Sequence, residues 1–117
     1  MKVHIYSSFF ESQKDAMKFA SERDYDDDKS KPALYIDVEA EWLDEDFVET
    51  IFGAGRFNYL ESLLANKNDI KNFKSIGSEG HNTLFLIFAE KDTSNANFSP
   101  SQGKRSVYLG SPNIRLS

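Results

Sequence analysis

The sequence of 117 residues contains no cysteine, one tryptophan, and no apolar run long enough to cross a membrane. Without cysteine, disulfide frameworks, zinc sites with cysteine ligands and thiol catalysis are excluded. A membrane span needs about 18 or more consecutive apolar residues, and the sequence has no such stretch. Residues 1–12 also lack the continuous apolar segment of a secretory signal peptide. We therefore expect a single domain, residues 1–117, located in the cytoplasm.

Basic residues are the scarcer charged type, with 14 against 19 acidic residues and a formal net charge of −5. The imbalance lies in residues 1–50, which hold 14 acidic and 6 basic residues, whereas residues 51–117 hold 5 and 8. The acidic residues concentrate in segments 24–28 and 39–49. Because nucleic-acid-binding proteins neutralise phosphates with basic residues, this balance argues against a general role of that kind. We expect neither nucleic acid nor membrane as a partner.

Hydrophobic patterning predicts an α+β domain. Alternation near the start predicts a strand at about 2–7, and residues 83–89, apolar on both alternating faces, predict a central strand covered on both sides. Residues 32–38 fit a short helix but also alternate as a strand would. The expected order is β-α-α-α-α-β-β, with three to four helices packed on a small, mostly antiparallel sheet of three to four strands. The remaining predicted elements are helices at about 13–22, 45–52, 57–65 and 69–75 and a strand at 106–109.

The segment WLDEDFVETIF at 42–52 shows the clearest helical pattern. Asp44 is a good N-cap, and Glu45 and Asp46 would lie in the first turn, where the helix dipole favours negative charge. The apolar residues within 47–52 form one stripe, and Gly53 follows as a helix end. We expect acidic side chains exposed on the face opposite this stripe.

Two groups of acidic residues have spacings that could support chemistry. Asp46 and Glu49 would share one helical face, where a pair of carboxylates could do acid–base catalysis if burial separated their pKa values. A solvated polar face is the favoured interpretation of this pair. The alternating acids of segment 24–28 match the start of a calcium loop, but Lys29 replaces the glycine that the turn requires. We expect no catalytic residue, no metal and no cofactor.

Trp42 stands among acidic residues, and two interpretations of it remain open. The favoured one is a partly buried core residue between two helices. The other is an aromatic anchor within an acidic rim, an arrangement typical of interface hot spots.

Three segments of the sequence resemble one protein family. They are the opening MKVHIY with the later YDDD at 25–28, the segment 42–52, and the closing VYLGSPNI at 107–114. The middle segment is similar to an aromatic-x-Asp-x-Asp-Phe-x-Glu signature, and the last to a Phe/Tyr-Leu-Gly-x-aromatic ending. The family is the immunity protein 22 family, whose members are small cytoplasmic proteins encoded beside bacterial polymorphic toxins. Pro112, near the aromatic position, and a longer polar loop at 91–105 depart from its pattern.

This resemblance implies a non-catalytic inhibitor that binds and neutralises a cognate toxin encoded by an adjacent gene. If the toxin is a basic nuclease, a carboxylate cluster can take the place of its phosphates. A monomer is expected rather than a homo-oligomer. The candidate partner-binding residues are aromatic anchors and the carboxylates around them, namely Tyr25, Asp26, Asp27, Asp28, Glu39, Glu41, Trp42, Asp44, Glu45, Asp46 and Glu49. The alternatives are a carboxylate-based enzyme and a small homo-oligomeric binding module.

Overall fold

The computed structural model describes residues 1–77, 80–89, 95 and 97–115. Two pairs of helices separate the strands of the first part of the chain, and two strands follow them. The strands are β1 (Lys2–Ser8), β2 (Val48–Phe52), β3 (Thr83–Ala89) and β4 (Val107–Gly110). The helices are α1 (Gln13–Ser21), α2 (Ala33–Asp37), α3 (Arg56–Leu63) and α4 (Asp69–Gly77), with a 3₁₀ helix at Glu45–Phe47. Within this part of the chain, no helix is both long enough and apolar enough to cross a bilayer.

The four strands form one open sheet in the order β2-β3-β1-β4, and every neighbouring pair is antiparallel. The β1–β3 pairing runs from Lys2↔Ala89 to Ser8↔Thr83. The sheet and its four α-helices confirm the predicted α+β class. The predicted order differs from the observed one by an additional strand, β2, in the first half of the chain.

Helices cover both faces of the sheet. On the face covered by α1 and α2, Tyr6, Phe85 and Ile87 are fully buried. On the face covered by α3 and α4, Leu84 and Leu86 take the corresponding positions of β3. Successive side chains of a strand point to opposite faces, so β3 supplies apolar residues to both cores. The prediction of a central strand covered on both sides is confirmed.

Local chemistry accounts for α1. The Ser12 hydroxyl accepts a hydrogen bond from the Asp15 backbone N–H at 3.1 Å, which satisfies one of the free donors of the first turn. Ala16 and Ala20, one turn apart, are buried against the sheet. Their spacing places both on one helical face, and the predicted helix at 13–22 is confirmed.

The predicted helix at 45–52 is wrong beyond its first turn. Asp44 does cap a turn, because its Oδ1 accepts from the Asp46 N–H at 3.0 Å, but that turn is the 3₁₀ helix. The chain then enters β2, which pairs with β3 from Val48↔Ile87 to Phe52↔Thr83. Residues Val-Glu-Thr-Ile-Phe suit a pleated strand, and β2 satisfies backbone groups of β3 that would otherwise lack partners.

Asp37 joins the end of α2 to the segment that precedes β4. Its side chain is only 7% exposed. Oδ1 accepts from the Arg105 backbone N–H at 2.7 Å and Oδ2 from the Ser106 N–H at 3.0 Å. Gly103 lies so close that an added Cβ would be 2.5 Å from Asp37 Oδ2 and 2.7 Å from the Ser106 carbonyl oxygen. The segment therefore packs tightly around this carboxylate.

Replacing Gly103 with alanine should lower the free energy of unfolding by about 1–3 kcal/mol, because the methyl group would displace a buried hydrogen-bond acceptor. Chemical denaturation of the purified variant measures the effect. Gly55→Ala is the matched control, since nothing lies within 4 Å of a Cβ at that position. That control should change stability by no more than about 1 kcal/mol. Equal effects of the two substitutions would contradict the expectation.

Candidate partner-binding site

A small pocket lies between α2 and the segment that leads into the 3₁₀ helix. Its volume is about 220 Å³. We call it the Tyr35 pocket, after the residue whose ring is buried at its side. Its lining residues are Arg23, Pro32, Tyr35, Trp42, Asp44, Glu45 and Asp46.

Tyr35 is only 2% exposed, yet within the described residues its hydroxyl has no hydrogen-bond partner. Its pKa is raised to about 12, first by burial and then by the negative charges of Glu45 and Asp44. The Arg23 charge acts in the opposite direction. The hydroxyl therefore lies close to charged groups while lacking a partner of its own.

Trp42 is 63% exposed, so the favoured interpretation of it as a core residue is wrong. The neighbouring Leu43 is fully buried and fills the core position instead, with Ala40 beside it in the same cluster. The indole meets the Tyr35 ring edge to face, with centroids 6.3 Å apart and an interplanar angle of 84°. One side of the pocket is thus an aromatic surface open to solvent.

Among the described residues, the carboxylates of the pocket form no ion pair. Glu45 and Asp46 are exposed and Asp44 is half-buried. The ion pair found among the described residues joins Lys18 and Glu22 on α1, at 3.8 Å, and does not involve them. Three carboxylates and one guanidinium, that of Arg23, leave this site with a net negative charge.

The acidic loop at 24–28 is connected to the pocket through Arg23. The Arg23 guanidinium lies over the Tyr25 ring, 4.8 Å from its centroid, and Arg23 also lines the pocket. Side-chain oxygens of the loop cap their own turn, since the Asp24 Oδ1 accepts from the Asp26 N–H and the Asp27 Oδ1 from the Lys29 N–H. Among the described residues no group of three acidic or histidine side chains could hold a metal ion. Tyr25 therefore lies next to a residue of the pocket wall, whereas the exposed Asp26, Asp27 and Asp28 do not line the pocket.

Glu39 and Glu41 lie on the other side of α2. They line a shallow depression of about 320 Å³ together with Lys31, Ile36 and Tyr35. Tyr35 lines both hollows, which places these two glutamates next to the pocket but not inside it. The Glu39 carboxylate accepts a hydrogen bond from the Ser101 hydroxyl at 3.2 Å.

Glu49 does not belong to this group of acids, contrary to the prediction. It lies on β2, is half-buried, and accepts a hydrogen bond from the Tyr59 hydroxyl of α3 at 2.6 Å. Asp46 instead lines the pocket on the α1–α2 side of the sheet. The two carboxylates predicted to share a helical face are therefore held on opposite sides of β2.

Removing the Glu49 carboxylate should lower the pKa of Tyr59 from about 12 toward its ordinary value of 10, because this hydrogen bond is the largest cause of the shift. Titration of ¹³C-labelled tyrosine in Glu49→Gln measures it by NMR. The Tyr59 proton is held more tightly in the folded chain, so it stabilises the fold below about pH 10 and that contribution is lost towards pH 12. The pKa of Tyr35 should not move, and an unchanged Tyr59 pKa would contradict the assignment.

One pair with a catalytic appearance was missed by sequence analysis. The Ser7 hydroxyl lies 2.8 Å from His81 Nδ1, the distance expected of a nucleophile and its base. Ser7 is fully buried within β1, however, so no substrate can reach it. Burial, and then the Arg56 charge, lowers the pKa of His81, and Arg56 also donates to the His81 carbonyl at 2.9 Å. The hydrogen bond between Ser7 and His81 holds the loop that precedes β3 against β1.

Comparison with known proteins adds no relative. No protein-family model, no curated protein and no solved structure matches the chain.

Tyr35 and Arg23 are not among the residues predicted from sequence. The sequence shows Tyr35 only as an aromatic residue within an apolar run. Such a residue is as readily a core residue as part of a binding site.

Proposed function

We propose that this protein is a cytoplasmic immunity protein of the immunity protein 22 type, which binds and neutralises a cognate bacterial toxin without catalysis. The observation that carries the proposal is the exposed Trp42 beside carboxylates that form no ion pair with any described residue. Similarity of segment 42–52 to the family signature supports it. We call the whole region the acidic surface, comprising Tyr25, Asp26, Asp27, Asp28, Glu39, Glu41, Trp42, Asp44, Glu45 and Asp46.

The acidic surface has the features of a binding site for a basic protein. Carboxylates without ion-pair partners lose little free energy on association if the partner supplies cations. Opposed charges also accelerate the encounter and disfavour wrong partners. The exposed Trp42 within this surface provides the large apolar contact that interface hot spots require. If the toxin is a nuclease, these carboxylates take the position of substrate phosphates in its basic cleft.

The carboxylate-based enzyme gains no support from the geometry. The pair suggested by sequence, Asp46 and Glu49, is separated by the sheet. The acidic surface offers a binding function more directly than an acid–base one.

The test is co-expression with the toxin encoded by the adjacent gene. Cells that carry the toxin alone should stop growing, and cells that also carry this protein should survive. The purified proteins should form a complex that survives gel filtration. Equal death with and without this protein would overturn the proposal.

Reversing two charges of the acidic surface should slow association with the toxin. In Glu45→Lys/Asp46→Lys we expect an association rate about tenfold lower at low salt, because steering by opposed charges is lost. The difference should shrink as salt is raised, since screening removes the field of exposed charges. Glu11→Lys/Glu61→Lys is the matched control, because it changes the net charge equally outside the acidic surface. Stopped-flow measurement that finds the same rate for both variants would exclude Glu45 and Asp46 from the interface.

A further inference from the structure

The size and charge of the Tyr35 pocket restrict what can occupy it. Sites for small molecules usually measure roughly 300–1,000 Å³, and this pocket, at about 220 Å³, is smaller. It suits a single side chain of a bound protein. Asp44, Glu45 and Asp46 outweigh the one guanidinium in its wall, that of Arg23, so the occupant should be a cation.

The Tyr35 hydroxyl supplies a second, independent indication. Its side chain is almost completely buried, and no described residue gives the hydroxyl a hydrogen bond. The hydroxyl oxygen retains access to solvent, so a donor that enters the pocket can form a hydrogen bond with it. A positively charged donor would also be attracted by Asp44 and Glu45, whose charges act on this hydroxyl.

The aromatic wall favours a planar cation. The exposed Trp42 indole stands nearly perpendicular to the Tyr35 ring, at 84°. A guanidinium can stack on such a face while its N–H groups point sideways to carboxylates, which an ammonium group does less well. The chain itself uses this contact elsewhere, since Arg105 lies 4.2 Å from the centroid of the Phe10 ring.

We infer that the Tyr35 pocket binds an arginine side chain of the toxin, with the guanidinium stacked on Trp42, donating to the Tyr35 hydroxyl and paired with Glu45 and Asp46. The identity of the partner rests on the proposed function, whereas the preference of the pocket for arginine does not. Arg23 repels the incoming guanidinium. Its own guanidinium is held over Tyr25, which leaves the carboxylates free for the partner.

A peptide titration tests this inference without the toxin. Trp42 is the only tryptophan in the chain, so its fluorescence reports on this pocket alone. The probe is acetyl-Gly-Arg-Gly-amide, compared with the same peptide carrying lysine and with one carrying citrulline, which keeps the shape but lacks the charge. We expect saturable binding of the arginine peptide with a dissociation constant on the order of 10 mM, as a single stacked ion pair allows. Lysine should bind more weakly, and citrulline should not saturate.

Two variants complete the test. Tyr35→Phe removes only the hydroxyl and should weaken the arginine peptide by roughly threefold. Arg23→Gln should increase the affinity for the arginine peptide by a similar factor, and a gain of affinity cannot arise from unfolding.

The inference would be overturned if the arginine and citrulline peptides changed the fluorescence equally, or if the lysine peptide bound as tightly as the arginine peptide. It would also be overturned if neither variant changed the affinity for the arginine peptide. If the toxin is neutralised while the peptides fail, this inference is wrong and the proposed function stands. If the arginine peptide binds while the toxin is not neutralised, the proposed function is wrong and the pocket assignment stands.

Discussion

Replacing Asp37 with alanine should lower the free energy of unfolding by about 2–4 kcal/mol, one of the two largest effects that the structure predicts. The carboxylate accepts from two backbone N–H groups, those of Arg105 and Ser106, and the Ser106 group is buried. Removing the acceptor leaves donors without partners, which costs about 1–3 kcal/mol for each buried group. The midpoint of thermal unfolding should fall by roughly 8–16 °C.

The amide variant sharpens this prediction. Asparagine at position 37 keeps the shape of the side chain but offers one acceptor oxygen, and its NH₂ group would face one of the two N–H donors. Asp37→Asn should therefore lose about 1–3 kcal/mol, less than alanine but clearly measurable. Asp28→Ala, in the exposed loop at 24–28, serves as control and should stay within about 0.5 kcal/mol of the unmodified protein. If Asp37→Ala were as stable as Asp28→Ala, the two hydrogen bonds would contribute nothing.

Local patterns predicted those elements whose own residues determine them. The alternation of Val3 and Ile5 and the doubly apolar run 83–89 predicted β1 and β3, because hydrophobic patterning is the main local signal of a strand. Both strands are buried on both faces. The cap at Ser12 predicted the start of α1, since the hydrogen bond lies within three residues. These features depend on neighbours in sequence and are therefore visible in it.

The segment 45–52 could not be predicted in the same way. Apolar residues at positions 47, 48, 51 and 52 fit one face of a helix, and the cap at Asp44 fits a helix start. The same residues also fit a strand, with Val48 and Phe52 on one face and Ile51 on the other. The choice is made by β3, more than 30 residues later, whose free edge requires a partner. Tertiary pairing thus outweighs the local preference.

The candidate site was predictable in composition but not in geometry. Charge clustering identified the acids of segments 24–28 and 39–49, and the acidic residues around Trp42 drew attention to that side chain. Their arrangement around Tyr35 depends on the packing of α2 against the sheet, where Tyr35 and Asp37 are both buried. Glu49 was predicted on a helical face shared with Asp46. Because its segment forms a strand, Glu49 instead lies on the opposite face of the sheet. The hydrogen bonds of Asp37 therefore hold the helix that builds the Tyr35 pocket.

If the proposed toxin is the partner, replacing Trp42 with alanine should weaken binding to it by at least about 2 kcal/mol, or roughly 30-fold in the dissociation constant. The reason is that truncation removes the exposed aromatic wall of the Tyr35 pocket. Most of the loss should appear as faster dissociation, because short-range contacts act after the encounter. Surface plasmon resonance with the immobilised toxin separates the two rates. Charge reversal at Glu45 and Asp46, in contrast, should act mainly on association.

The same substitution should leave the fold intact, which makes the result interpretable. Trp42 is 63% exposed and touches Tyr35 only edge to face, so we expect a stability change below about 1 kcal/mol. Ile76→Ala is the matched control, since Ile76 is a comparably exposed apolar residue on α4, which packs on the other face of the sheet. It should bind the toxin as the unmodified protein does. A Trp42→Ala variant that binds as tightly as the Ile76→Ala variant would remove Trp42 from the interface. A loss of binding accompanied by an equal loss of stability would assign Trp42 to the fold, because a contact residue changes affinity while the free energy of unfolding stays constant.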